Sequence, residues 1–189
     1  RMQIDLQEPL EITGVTHLSE ATKGNGGPEL SFKREGNVYW IDFPADVPVG
    51  AKQSIRVDYR GVPVESKNPP WSGGLTWQQD EKGNPFIATS CQGIGASIWW
   101  PCKDHPTEEP DSMAINITVP NNIMCVANGR LREKVDTDVK TTYKWFVTKP
   151  INNYNVSVNI ANYAVIEDTI HSVTGIQPAT YYVLDYNEA

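Results

Sequence analysis

Residues 89–106 read TSCQGIGASIWWPCKDHP. This run holds two of the chain's three cysteines, an amide, two glycines, a tryptophan pair and two prolines. The chain on either side is plain by comparison: it alternates apolar and polar residues and is punctuated by short clusters of Gly, Pro, Asn and Asp. The flanks identify the class of fold, and the run carries whatever is specific to this protein.

In the flanks, Met2, Ile4 and Leu6 alternate with Gln3 and Asp5, and Ile55, Val57 and Tyr59 alternate with Ser54, Arg56 and Asp58. Met113, Ile115, Ile117 and Val119 share one face, as do Val156, Val158 and Ile160. Successive side chains of a strand point to opposite faces, so a period of two marks half-buried strands, and no segment shows comparable helical spacing. Turns are expected at KGNGGP (23–28), ADVPVG (45–50), KNPPWSGG (67–74), EKGNP (81–85) and PNN (120–122), because these residues favour turn geometry. In LEITGVTHL the apolar phase changes at Gly14, which predicts a β-bulge. With 189 residues and 39% hydrophobic content, the chain is long enough to bury a sizeable core. It reads as one all-β domain over 1–185, with 186–189 beginning a connection to a further domain. RMQIDL is already strand-like, so the N-terminal edge is expected to be incomplete.

Composition excludes several functions. A net charge of -7 with no basic cluster argues against nucleic acid, whose binders display a basic face. No apolar run approaches the roughly 20 residues that span a bilayer, so no membrane span is expected. His17, His105 and His171 lie far apart and outside any HExxH run, so no metal site is expected. DEKGN at 80–84 lacks the closing glutamate of a calcium loop and reads as a hairpin turn. Cys91, Cys102 and Cys125 form no CxxC pair; they read as small buried hydrophobes, with one bridge left open. A triad of Cys91 or Ser90 with His105 and Asp104 is disfavoured, since adjacent His and Asp on one loop rarely reach the geometry. The six tryptophans leave an alternative open. Trp145 sits in an alternating strand and reads as core, whereas Trp71 and Trp77 flank a Gly-Gly loop. Exposed, they could make the chain a β-sandwich binding module for carbohydrate or protein.

The opening run closely resembles the signature of the amino-terminal domain of M1-family zinc aminopeptidases, in its bacterial form. There a segment of the type S-Q-C-Q-A is followed after a fixed interval by P-C-x-D-x-P. Ser90, Cys91, Gln92 and Gly93 stand for the first part, and Pro101, Cys102, Asp104 and Pro106 for the second. EPDSMAINITVP resembles the family's next strand, CVANGRL its S-N-G hairpin, and KPINNYNVSVNIANY its P-x-x-x-Y segment; the likeness covers roughly residues 86–185.

The resemblance implies a curved, saddle-like β-sandwich of antiparallel and mixed sheets. This would lie against an intramolecular catalytic domain that carries HExxH and a distant glutamate ligand. Zinc would be the cofactor of the full-length enzyme, with ligands outside this chain, and the chain alone would not cleave peptides. Gln92 would help bind the free α-amine of a peptide substrate's N-terminus. Ser90 stands where the family often has a second glutamine, and Gly93 and Gly95 would let backbone approach substrate or neighbouring loops. Trp99, Trp100, Pro101 and Cys102 would anchor the loop to a sheet, Asp104 would bond loop backbone, and His105 is left without a role. A bacterial periplasmic or secreted location is favoured over the cytoplasm.

Overall fold

The computed structural model describes residues 1–18, 26–173 and 175–187. The first three positions of the expected KGNGGP turn, and residues 188 and 189 of the expected connection, lie outside them. Among the described residues there are fourteen strands and only three short 3-10 turns. The period-two reading of the sequence is therefore borne out. The chain divides into two compact units.

The first unit comprises Arg1–Leu75, Thr89–Pro110 and Asn152–Asn155. Strands β1 (Met2–Asp5), β3 (Phe32–Glu35) and β4 (Val38–Ile41) form a sheet of order β1-β4-β3. Strands β2 (Glu11–Leu18) and β5 (Ser54–Arg60) form a two-stranded sheet. All these pairings are antiparallel, and the register of β2 against β5 shifts between Ile12 and Gly14, the bulge expected from the change of phase. Ile12, Val15, Tyr39 and Ile41 from the two sheets and Leu6, Leu10 and Leu30 from their connections belong to one buried cluster. The Tyr39 hydroxyl accepts the Ile12 N–H at 3.2 Å. Truncating a leucine of such a core to alanine costs about 2–5 kcal/mol.

The second unit comprises Thr76–Ala88, Asp111–Ile151 and Val156–Ala189. Strands β6 (Gly74–Gln79), β7 (Pro85–Ser90), β12 (Val158–Ala161) and β9 (Met124–Ala127) lie in one sheet in that order. Strands β10 (Arg130–Asp136), β11 (Lys140–Val147) and β8 (Met113–Pro120) form a second sheet, and β13 (Tyr163–Ser172) and β14 (Gly175–Leu184) a long hairpin. Trp145 on β11 is buried as its alternation predicts; its indole N–H donates to the Cys125 carbonyl at 3.1 Å, and its ring meets Tyr182 edge-on at 5.9 Å.

The expected hairpin at CVANGRL is a corner instead. β9 pairs with β12 and β10 with β11, so the chain changes sheets at Asn128-Gly129. Gly129 has φ 90°, and a Cβ there would lie 2.2 Å from the Phe146 carbonyl oxygen. Glycine is needed because the corner passes tightly against β11.

Candidate functional site

The run 89–106 leaves β7 at Ser90 and turns at once. The Cys91 carbonyl accepts from both Ile94 N–H (3.2 Å) and Gly95 N–H (3.0 Å), closing a tight loop. Gly93 (φ 76°) and Gly95 (φ 87°) hold the left-handed conformations that this loop requires. A 3-10 turn over Ala96–Ile98 follows and is capped from ahead in the chain. The Asp104 carboxylate accepts the N–H of Ala96 (3.2 Å), the N–H of Ser97 (2.9 Å) and the Ser97 hydroxyl (2.7 Å). An added Cβ on Gly95 would sit 2.2 Å from that carboxylate, so Gly95 makes room for a neighbouring loop, as its sequence context implied. Among the described residues, and apart from its two chain neighbours, nothing lies within 4 Å of the corresponding position on Gly93. What Gly93 requires is its backbone conformation, and the space beside it is open.

Strand β1 holds the second half of the run. Asp5 and Cys102 exchange backbone hydrogen bonds at 2.7 and 3.1 Å, and the Asp5 carboxylate accepts the Asp104 N–H at 2.9 Å. Gln7 donates its backbone N–H to the Ser97 carbonyl and its amide to the Ser97 hydroxyl. Beneath these bonds Cys91, Ala96 and Cys102 cluster with Trp99 and Trp100 packed on them, so the tryptophan side chains pack within the run itself, and the Tyr59 hydroxyl of β5 donates to the Trp99 carbonyl at 3.3 Å.

The three cysteines are free and buried, as read from the sequence. Loss of water pushes the Cys91 thiol up to about 11, and the negative charge of Asp104 adds to the shift. Burial, then Asp104 and Asp5, raises Cys102 further, and burial alone pushes Cys125 up to about 12. A thiol attacks as its thiolate, so Cys91 is unsuited to nucleophilic chemistry. The other members of the imagined triad are also occupied elsewhere. Ser90 donates to the Pro70 carbonyl at 3.1 Å, His105 pairs with the Thr107 hydroxyl at 2.8 Å, and Asp104 caps its turn.

Gln92 is exposed at the loop tip, and its amide oxygen accepts a hydrogen bond from the Tyr154 hydroxyl at 2.5 Å. Tyr154 lies in the 3-10 turn Asn153–Asn155, far along the chain. That turn is bolted to the run. The buried Asn153 amide donates to the Lys103 carbonyl at 2.9 Å, and the Asn152 amide donates to the Pro106 carbonyl at 3.0 Å. Beside it opens a cavity of about 410 Å³ lined by Ile94, Asp104, His105, Pro106, Asn152 and Tyr154 among others.

The structure thus brings Gln92 to the surface, turns the Ser90 hydroxyl toward Pro70, and leaves open space at Gly93. The sequence alone singles out neither Tyr154 nor Asn153, although Tyr154 is the tyrosine of the P-x-x-x-Y segment. Trp71 and Trp77 are exposed at 76% and 48%, the first in one unit and the second in the other. Among the described residues no group of three His, Cys, Asp or Glu could hold a metal ion. No helix among them is long and apolar enough to cross a membrane.

No family model matches the chain. Leucine aminopeptidase 2 of Aspergillus oryzae is 28% identical over 61% of this chain and 21% of its own length. A two-domain M1 zinc metallopeptidase variant solved with L-arginine superposes on 97% of this chain and 40% of its own, with a TM-score of 0.76 at 16% identity. The M1 zinc metallopeptidase from Deinococcus radiodurans superposes on 95% of this chain and 38% of its own, with a TM-score of 0.73 at 16% identity. A variant of the Deinococcus radiodurans protein, solved with a Tyr-Ser-Ala substrate, gives a TM-score of 0.75 over 97% of this chain and 40% of its own, again at 16% identity. The chain therefore spans about a fifth of the curated relative and two fifths of the solved ones. Over nearly its whole length it has the β-sheet fold of M1 zinc metallopeptidases, as the run at 89–106 implied.

Proposed function

We propose that this chain is the amino-terminal β domain of an M1-type zinc aminopeptidase, covering 1–185 with a connection beginning at 186. In this reading Gln92 helps hold the free α-ammonium of a peptide substrate at the edge of a cleft that a separate catalytic domain completes. The observation that carries the reading is the exposed amide of Gln92, held by Tyr154 at the tip of a hydrogen-bonded loop, in a chain with this fold. Solved relatives are described with a free amino acid or a short peptide bound, ligands that share an α-ammonium.

An ammonium offers three donors and has no acceptor, so it is matched by oxygens. A charge-assisted bond to an amide oxygen is stronger than a neutral one. Fixing the amine end fixes the distance to the first peptide bond, so a site so limited removes residues singly. The Ser90 hydroxyl, though donating to Pro70, keeps lone pairs that can accept, and the open space beside Gly93 gives the substrate backbone room. Zinc does not fit this chain's own residues: no cluster of ligands exists among those described. Its ligands belong to the separate domain. The isolated chain is expected to show no aminopeptidase turnover with or without added zinc.

In the full-length protein Gln92→Ala is expected to lower kcat/KM by about 1–3 kcal/mol in transition-state free energy, the range for a lost hydrogen bond to a charged group. Metal content should stay the same. An unchanged kcat/KM removes Gln92 from the site.

A further inference from the structure

We infer that Tyr154 is a positioning residue that fixes which end of the Gln92 amide faces the substrate; the inference rests on the amine-contact reading of Gln92. The two ends of a glutamine amide have opposite polarity: the oxygen accepts and the NH2 donates. Turned one way the group attracts an ammonium, and turned the other way it opposes it. An exposed glutamine is free to present either end. Here the Tyr154 hydroxyl donates to the oxygen. A phenol hydroxyl is a better donor than acceptor, because its lone pairs are drawn into the ring, so it favours this orientation over the one that turns the NH2 toward it.

The tyrosine is itself held. Its N–H donates to the Asn152 side-chain oxygen at 2.9 Å, and the Asn155 N–H donates to the Asn152 carbonyl at 2.9 Å. Asn152 and the buried Asn153 tie the same turn to the carbonyls of Pro106 and Lys103. Asp104, between those two carbonyls in the chain, caps the turn that follows Gln92. One bonded framework therefore sets both the hydroxyl and the loop that carries the amide. The amide oxygen keeps a second lone pair, and both side chains are exposed and within reach of a ligand.

The test uses the full-length enzyme and a pair of competitive inhibitors, L-tryptophan and its des-amino analogue, whose ratio of inhibition constants reads the ammonium contact alone. Tyr154→Phe is expected to shrink that ratio by about 3- to 10-fold. It should raise KM more than it lowers kcat and leave the melting temperature near that of the parent. In a Gln92→Ala background the same change should do nothing further. In a Gln92→Glu background it should matter less, because a carboxylate accepts at both ends. If Gln92→Ala leaves the ratio unchanged, the amine contact itself is wrong and this inference falls with it. If Gln92→Ala shrinks the ratio while Tyr154→Phe does not, or if the two effects simply add, only the positioning role is overturned.

Discussion

In the hairpin of β13 and β14, ten residue pairs run without a break from Tyr163↔Leu184 to Ser172↔Gly175. Val165, Ile170 and Ile176 on it are exposed. Residues 91–106 contain no strand at all, yet they bury Cys91, Ala96, Ser97, Ile98 and Cys102. The hairpin satisfies backbone groups with backbone groups, so its side chains are left to solvent. The run satisfies some with backbone, at the Cys91 turn and against Asp5 and Gln7, and the rest with side chains: Asp104 caps Ala96 and Ser97, Asp5 takes the N–H of Asp104, and Asn152 and Asn153 take the carbonyls of Pro106 and Lys103. A buried backbone group without a partner is costly. Irregular backbone can therefore stay buried only where particular side chains serve it, and each of those positions tolerates little change.

The sharpest way to break this contrast is Asp104→Ala. It removes three bonds to one carboxylate and leaves two N–H groups of a buried turn unserved, which should cost about 3–5 kcal/mol at charge-assisted strengths. Urea unfolding measures it; a loss below about 1 kcal/mol would mean that the run is not held by its side chains.

Alkaline pH should sharpen the contrast next. Each thiol is raised above its ordinary value of 9.0, Cys91 to about 11 and Cys125 to about 12. The folded chain keeps these protons while the unfolded chain releases them. Stability is therefore full below pH 9 and falls as pH rises toward the folded values, by roughly 1.4 kcal/mol per pH unit for each thiol. Unfolding midpoints in reductant at pH 8 and pH 10 report this. The hairpin contains no thiol. Burial raises its Tyr163 and Tyr182 above their ordinary 10.0, so hydrogen-exchange protection of its amides against local opening should begin to fall only at a higher pH than that of the run.

The smallest effect should come from Ile170→Thr in the hairpin, an exposed position where a β-branched residue replaces another. A change within about 0.5 kcal/mol is expected, as for surface substitutions in general. A loss of several kcal/mol would show that this face is covered in the protein tested.

Much of the fold could be read in advance because strand periodicity is a local property. The alternation over Met113–Val119, the phase change at Gly14 and the core position of Trp145 depend only on near neighbours in the chain, and all appear in the structure. The burial of the three cysteines follows from their ordinary preference for the interior. The corner at Gly129 could not be read this way, because Asn-Gly serves a hairpin or a change of sheet equally well. What separates them is whether Arg130 pairs back on β9 or, as it does, with Phe146.

The candidate site divides along the same line. The residues of the run mark Gln92, and Asp104 reads there as a bond to loop backbone. The sequence by itself determined an all-β chain with one loop of fixed composition, since side-chain alternation and turn chemistry act over a few residues. Only the tertiary structure decided that Tyr154 meets Gln92 across 62 positions and that Ser90 turns to Pro70. Such meetings depend on the paths of separate loops, and no local rule of spacing encodes them.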